Sequence, residues 1–162
     1  MNDSHYGVLC AVLLGLGQLA MFTGYDTQSF VVEPVLHSVH ARTGAIDAHA
    51  GYYSQAVISA FYTIANLLAP CILMMLGSKL TLVIGSAGFT MYMCAFFYIN
   101  FATFYGASAI LGFCYALFYA GYSAYLTEHS SRKTIERNSA IVWAIGTSSM
   151  IVGGIIMIFT TR

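Results

Sequence analysis

From Leu80 to Thr127 the chain contains no Asp, Glu, Lys or Arg. A run of that length has no acceptable place in a water-soluble core, and it is too long for one membrane crossing. A transmembrane helix needs about 20 predominantly apolar residues. The stretch therefore reads as two spanning helices joined by a tight turn near Tyr98-Ile-Asn-Phe101. Composition agrees, because only 7% of the chain is charged, against about 25% in ordinary soluble domains. The fold class is all-α: a polytopic transmembrane helical bundle, with the lipid bilayer as its first partner.

Five apolar segments of one membrane domain, residues 1–162, follow from the same reading: helices over about 6–32, 52–76, 80–99, 103–127 and 138–159. A polar stretch, His37 to Ala50, separates the first two. Gly77-Ser-Lys79 is a minimal turn, and Glu128 to Arg137 forms a charged loop. The first segment is long enough to span and has no Lys or Arg before it, so it is not a cleavable signal. Asn2-Asp-Ser4 has the form of a glycosylation sequon at the extreme terminus. Positive residues in short loops prefer the cytoplasm. That preference puts the N-terminus inside, with Lys79, Arg132, Lys133 and Arg137 cytoplasmic and Arg42 and Arg162 outside.

The fourth segment carries small residues at every fourth position: Ser108, Gly112, Ala116, Ala120 and Ala124. Residues i and i+4 share a helix face, and small residues let backbones approach closely in lipid. The stripe is expected to pack against another helix. Phe118 lies off it, which predicts a milder response to substitution there.

Acidic residues inside spans are costly and mark candidate sites. Asp26 and Glu33 lie about 10 Å apart along one helix by its rise. Asp26 is open to two roles: a proton- or cation-coupling carboxylate facing a cavity, or a polar cap at the wet outer end of the first helix. The apolar run ends at Gly24, which favours the second. Gln55 and Asn66 bond between helices or line a cavity with Asp26. His37, His40 and His49 fall in the outer polar stretch. His37 and His40 have the spacing to share a metal on one turn, yet no third ligand is near, so they read as solvent-exposed. The four cysteines, Cys10, Cys71, Cys94 and Cys114, lie in apolar segments without CxxC spacing and read as packing residues. No GxSxG, HExxH or phosphate-binding loop occurs. The sequence assigns no catalytic residue, cofactor or metal site, and no basic cluster suited to nucleic acid.

Two blocks carry a family likeness. The first is Gly51-Tyr-Tyr-Ser-Gln-Ala-Val-Ile-Ser-Ala-Phe-Tyr-Thr-Ile-Ala-Asn-Leu-Leu-Ala-Pro70, continuing to Leu76-Gly-Ser-Lys79. The second runs from Gly112 through Tyr125-Leu-Thr-Glu-His-Ser130 to Thr134-Ile-Glu-Arg-Asn-Ser139 and Trp143. They resemble the second helix, the fourth-helix exit and the fifth-helix start of the uncoordinated-ninety-three-like family, a branch of the major facilitator superfamily. Gly15-x-Gly17 and Phe22-Thr23 fit its first helix more loosely. Where that family leads one to expect Trp, Gln and Gly in the fourth helix, this chain has Tyr119, Tyr122 and Ser123, which weighs against transport.

The resemblance implies part of an N-terminal half of a facilitator fold, without its sixth helix or the second half. A truncated product, a short isoform and an incomplete reading frame are all compatible with it. It also implies an ion-channel regulator, not an enzyme, acting through helix contacts with a membrane partner such as a potassium-channel complex. The alternatives are a facilitator-type transporter fragment, with Asp26, Gln55 and Asn66 lining a half-cavity, and a truncation without function. Plasma membrane and internal membrane both suit the sequence.

Overall fold

The computed structural model describes residues 3–44, 46, 47 and 49–160. Asn2, Ala45, Ala48 and Arg162, with the part of the sequon at Asn2, lie outside the described residues. The regular structure among the described residues is all helical: α1 Asp3–Thr43, α2 Ala50–Ala95, α3 Phe101–Glu128, α4 Ile135–Thr147 and α5 Ser149–Thr160. Among the described residues four helical stretches are long and apolar enough to cross a membrane: His5–Thr43, Ala50–Ala95, Phe101–Glu128 and Ile135–Thr160.

The described residues fall into two compact units, 29–121 and 3–28 with 122–160. In the first, α2 has 46 residues, a length of about 69 Å at 1.5 Å per residue. That is more than twice the ~30 Å hydrocarbon thickness. It accommodates this length by reversing at Gly77, whose φ of 78° and ψ of 166° interrupt the helix. Only glycine adopts that backbone region readily. The reversal is evident from what α3 touches. A side chain at Gly112 would strike Ile58 and Phe61, and Tyr115 packs edge-on against Tyr62 at 5.3 Å. Numbers rise together, so α3 runs parallel to the 50–76 arm. Side chains at Gly121, Gly85 and Gly88 would strike Leu82, Phe118 and Cys114 respectively. The 78–95 arm and α3 therefore count in opposite directions, and the two arms of α2 form a hairpin. Its core holds Ala65, Ala69, Ala116 and Leu117 on one side of α3 and Phe89 with Phe118 on the other.

The turn between α2 and α3 exposes Phe97 (92%), Tyr98 and Phe101. Aromatic rings concentrate at the boundary between lipid and water, and these sit at a helix–helix turn where that boundary belongs.

In the second unit, α1 runs beside α4 and α5. Gly7 meets Asn138, Gly15 meets Ile145, Gly146 meets Gln18, and Gly153 meets Thr27. The numbers again rise together, so these helices are parallel, as the first and fifth members of an alternating series are. The segment expected as one helix over 138–159 starts at Ile135 and is interrupted at Ser148, whose hydroxyl donates to the Ile145 carbonyl at 2.6 Å.

The first helix continues beyond residue 32, through Pro34, to Thr43. His37 and His40 are therefore helical, not in a loop. Burial explains the extension: Leu36 is fully enclosed and Ile46 nearly so. The His40 ring Nδ1–H donates to the Ile46 carbonyl at 2.7 Å, pinning the turn that follows. Cys10 and Cys114 are buried packing residues, whereas Cys71 and Cys94 are exposed on α2.

We propose that the N-terminus is cytoplasmic, by the loop-charge argument. With native cysteines replaced, Ser38→Cys should react with an impermeant thiol reagent on intact cells and Ser131→Cys should not. The reverse pattern would invert the assignment.

Candidate functional site

Within residues 3–28 and 122–160 the polar side chains form a seam between α1 and the broken α4–α5 segment. Asp26 is only 9% exposed, and its Oδ2 accepts a hydrogen bond from the Ser149 hydroxyl at 2.7 Å. The expected role as a cap in water is therefore corrected: the end of an apolar run does not expose every face of the helix. Ser149 is the first residue of α5, next to the Ser148 interruption. Gln18 is also buried, and its Oε1 has no hydrogen-bond partner among the described residues. Its carboxamide lies against Gly146, where any larger residue would displace it. Thr27 donates to the Thr23 carbonyl at 2.6 Å and places its hydroxyl over Gly153. The small residues Gly146, Ser149 and Gly153 thus make room for a polar face of α1.

The exit from α3 is held by local bonds. The His129 ring stacks on Tyr125 at 4.1 Å between centroids, and its Nδ1–H donates to the Tyr125 carbonyl at 2.9 Å. Asn138, fully buried, donates from Nδ2 to the Ser130 hydroxyl at 2.9 Å. The Tyr125–Ser130 motif and Asn138 are brought together in this way.

In the other unit, Gln55 and Asn66 are both exposed. They are separated by about three helical turns, so they share one side of the 50–76 arm. Ser59 and Thr63 lie between them on that side and are exposed too. Ser59 donates to the Gln55 carbonyl and Thr63 to the Ser59 carbonyl, each at 2.9 Å, and Asn66 donates to the Tyr62 carbonyl at 2.9 Å. The Ser59 and Thr63 hydroxyls and the Asn66 Nδ2 thus bond to their own helix, and with the exposed Gln55 they make a polar ribbon along a membrane-spanning segment. Ser59 and Thr63 do not stand out by residue type. Their spacing of four from Gln55 onward is the signal that finds them.

The small-residue stripe of α3 divides along its length. Ser108 is fully buried and donates to the Phe104 carbonyl at 2.8 Å. Gly112 lies against Ile58, and Ala116 is enclosed with Ala65 and Ala69. Ala120 is half-buried against the same cluster, and Ala124 is half-buried in the other unit. Phe118 is not the neutral off-stripe position expected. It is buried against Gly85 and Phe89 on the opposite face of α3. Among the described residues no group of three His, Cys, Asp or Glu is placed to hold a metal.

These features define a multi-pass α-helical membrane protein whose polar groups are concentrated on particular helix faces. The profile of the family described as ion channel regulatory protein UNC-93 matches residues 42–162, and the chain belongs to that family. It is 30% identical over 156 residues to the UNC93-like protein MFSD11 of Xenopus laevis, covering 96% of this chain and 34% of that protein. Its identity to the Xenopus tropicalis protein of the same description is 28%, with the same coverage. The chain thus spans about a third of the length of these relatives. No solved structure matches it.

Proposed function

We propose that the chain regulates an ion channel by holding one helix face against a membrane partner, a potassium-channel complex being the partner the family resemblance implies. The observation supporting this reading is the exposed ribbon Gln55, Ser59, Thr63 and Asn66. Lipid tails offer polar side chains nothing, and in membranes such residues bond across helices at about 0.6 kcal/mol each on average. A ribbon of four suits a polar-bearing helix better than hydrocarbon. Regulation then follows from preference: a bound protein shifts a gating equilibrium only by binding one state more tightly.

A second reading, a facilitator-type transporter fragment, is favoured by buried Asp26. In it the ribbon lines water instead of a partner. Asp26→Asn separates the two. The Asn side-chain oxygen still accepts from Ser149, so channel regulation should persist at wild-type membrane abundance. Loss of proton-dependent solute uptake at unchanged surface level, with no effect of the chain on channel current, would replace regulation with transport.

A further inference from the structure

The 78–95 arm of α2 and the first turns of α3 leave a groove between them with a volume of about 410 Å³. Small-molecule sites span roughly 300–1,000 Å³. Met91 and Cys94 line it from the arm, and Thr103, Gly106, Ala107 and Ile110 line it from α3. Small residues keep the groove open: a Cβ at Gly106 would meet nothing within 4 Å. Aromatic packing joins the same two segments. The ring of Phe104, fully buried, lies 6.2 Å from that of Tyr92 and 5.5 Å from that of Phe96. The groove is thus preformed between helices that are already packed together.

Its wall carries one hydroxyl that the protein leaves unused. Every other threonine whose side chain is described donates to a main-chain carbonyl, in most cases the one four residues earlier. Four residues before Thr103 is Ile99, which lies in the turn ahead of α3. Thr103 is exposed, and its hydroxyl has no partner among the described residues. The exposed rings of Phe97, Tyr98 and Phe101 set this end of α3 at the level where lipid meets water. From Thr103 to Ile110 the helix then runs about 10 Å by its rise, a third of the ~30 Å hydrocarbon thickness.

We propose that this groove binds a sterol, its hydroxyl on Thr103 and its fused rings lying over Gly106 toward Ile110. A sterol is a rigid apolar plate with a single hydroxyl at one end, and the groove offers a smooth apolar floor with a single hydroxyl at its interfacial end. Charge separates it from the other lipids. Phospholipid headgroups are held by Lys and Arg, and neither helix segment has one, since no charged residue occurs from Leu80 to Thr127. Asp47, within electrostatic reach of Tyr105 on α3, would repel a phosphate. A neighbouring transmembrane helix would run far beyond a groove of this length. The site shares no residue with the ribbon from Gln55 to Asn66.

The test is photolabelling of the full chain in phospholipid nanodiscs by a sterol carrying a diazirine on its rings, with the labelled peptides located by mass spectrometry. Wild type should be labelled within residues 91–110, saturably, and excess unlabelled sterol should remove the label. Thr103→Val keeps the shape and drops the hydroxyl. It should raise the half-saturating sterol fraction roughly two- to tenfold, the range for one lost hydrogen bond, and Thr103→Ser should restore it. Gly106→Leu fills the groove and should abolish saturable labelling, while its melting midpoint in detergent stays at or above wild type, because the space it enters is empty. Labelling that does not saturate, or that survives Gly106→Leu, would overturn the site. Wild-type affinity in Thr103→Val would overturn the sterol in favour of a plain hydrocarbon tail. So would a phospholipid with a diazirine on its tail that labels residues 91–110 and is not displaced by sterol. With native cysteines replaced, a Gly106→Cys chain that forms disulfide-linked dimers in sterol-rich nanodiscs would give the groove to a second copy instead.

Discussion

Gly112→Leu should lower the apparent melting temperature in detergent by roughly 6–12 °C. Overpacking a filled interior costs up to ~3 kcal/mol, and each kcal/mol moves the midpoint ~2–4 °C for a chain of this size. Even a Cβ at Gly112 meets the Ile58 backbone carbonyl and Phe61. Backbone cannot rotate away as a side chain tip can, so α3 and the 50–76 arm must separate. Gly106, on the same helix, has open space where a Cβ would stand, with nothing within 4 Å. Gly106→Leu should therefore leave the midpoint unchanged or raise it slightly, because leaving glycine improves helix propensity by up to ~1 kcal/mol. Phe118→Leu is not a neutral comparison, since Phe118 fills the space beside Gly85. Equal midpoints for Gly112→Leu and Gly106→Leu would show that the stripe does not pack.

Gly77→Val should destabilise the hairpin by a different route. No atom lies within 4 Å of a Cβ at this position, so crowding by neighbours plays no part. The cost is conformational: φ 78° with ψ 166° belongs to a region nearly closed to residues with a Cβ, at ~1–3 kcal/mol. Valine, branched at Cβ, sits at the upper end. The expected result is a midpoint ~4–12 °C lower and a smaller monodisperse fraction on size exclusion. Gly77→Ala should fall between Val and wild type. If Gly77→Val melts with wild type, the reversal does not depend on this backbone conformation.

The helices are legible in the sequence because lipid imposes a length and a near-absence of charge. The run from Leu80 to Thr127 resolves in only one way. Continuation of α1 past Pro34 is not legible. Proline and the polar residues after it read locally as a stop, and the burial of Leu36 and Ile46, which outweighs them, is tertiary. Asp26 shows the same limit. Its position past Gly24 suggests water, but its partner Ser149 is 123 residues away in sequence. The interruption at Ser148 leaves a faint local trace in consecutive Gly146-Thr-Ser-Ser149, side chains that bond their own backbone and favour helix ends. The ribbon on α2 is half visible. Gln55 and Asn66 stand out by type, while Ser59 and Thr63 become informative only once they share a side with them.

If the ribbon is the surface that meets a membrane partner, potassium current reads its effect most directly. The open–closed equilibrium of a potassium channel, drawn from a panel co-expressed with the chain, should shift by about fivefold or more, the usual lower bound for coupling between sites. The double variant Gln55→Leu with Asn66→Leu should reach the membrane at wild-type abundance and lose the shift. A wild-type chain at the surface that moves no channel in the panel, or a double variant that retains the full shift, would contradict this role for the ribbon.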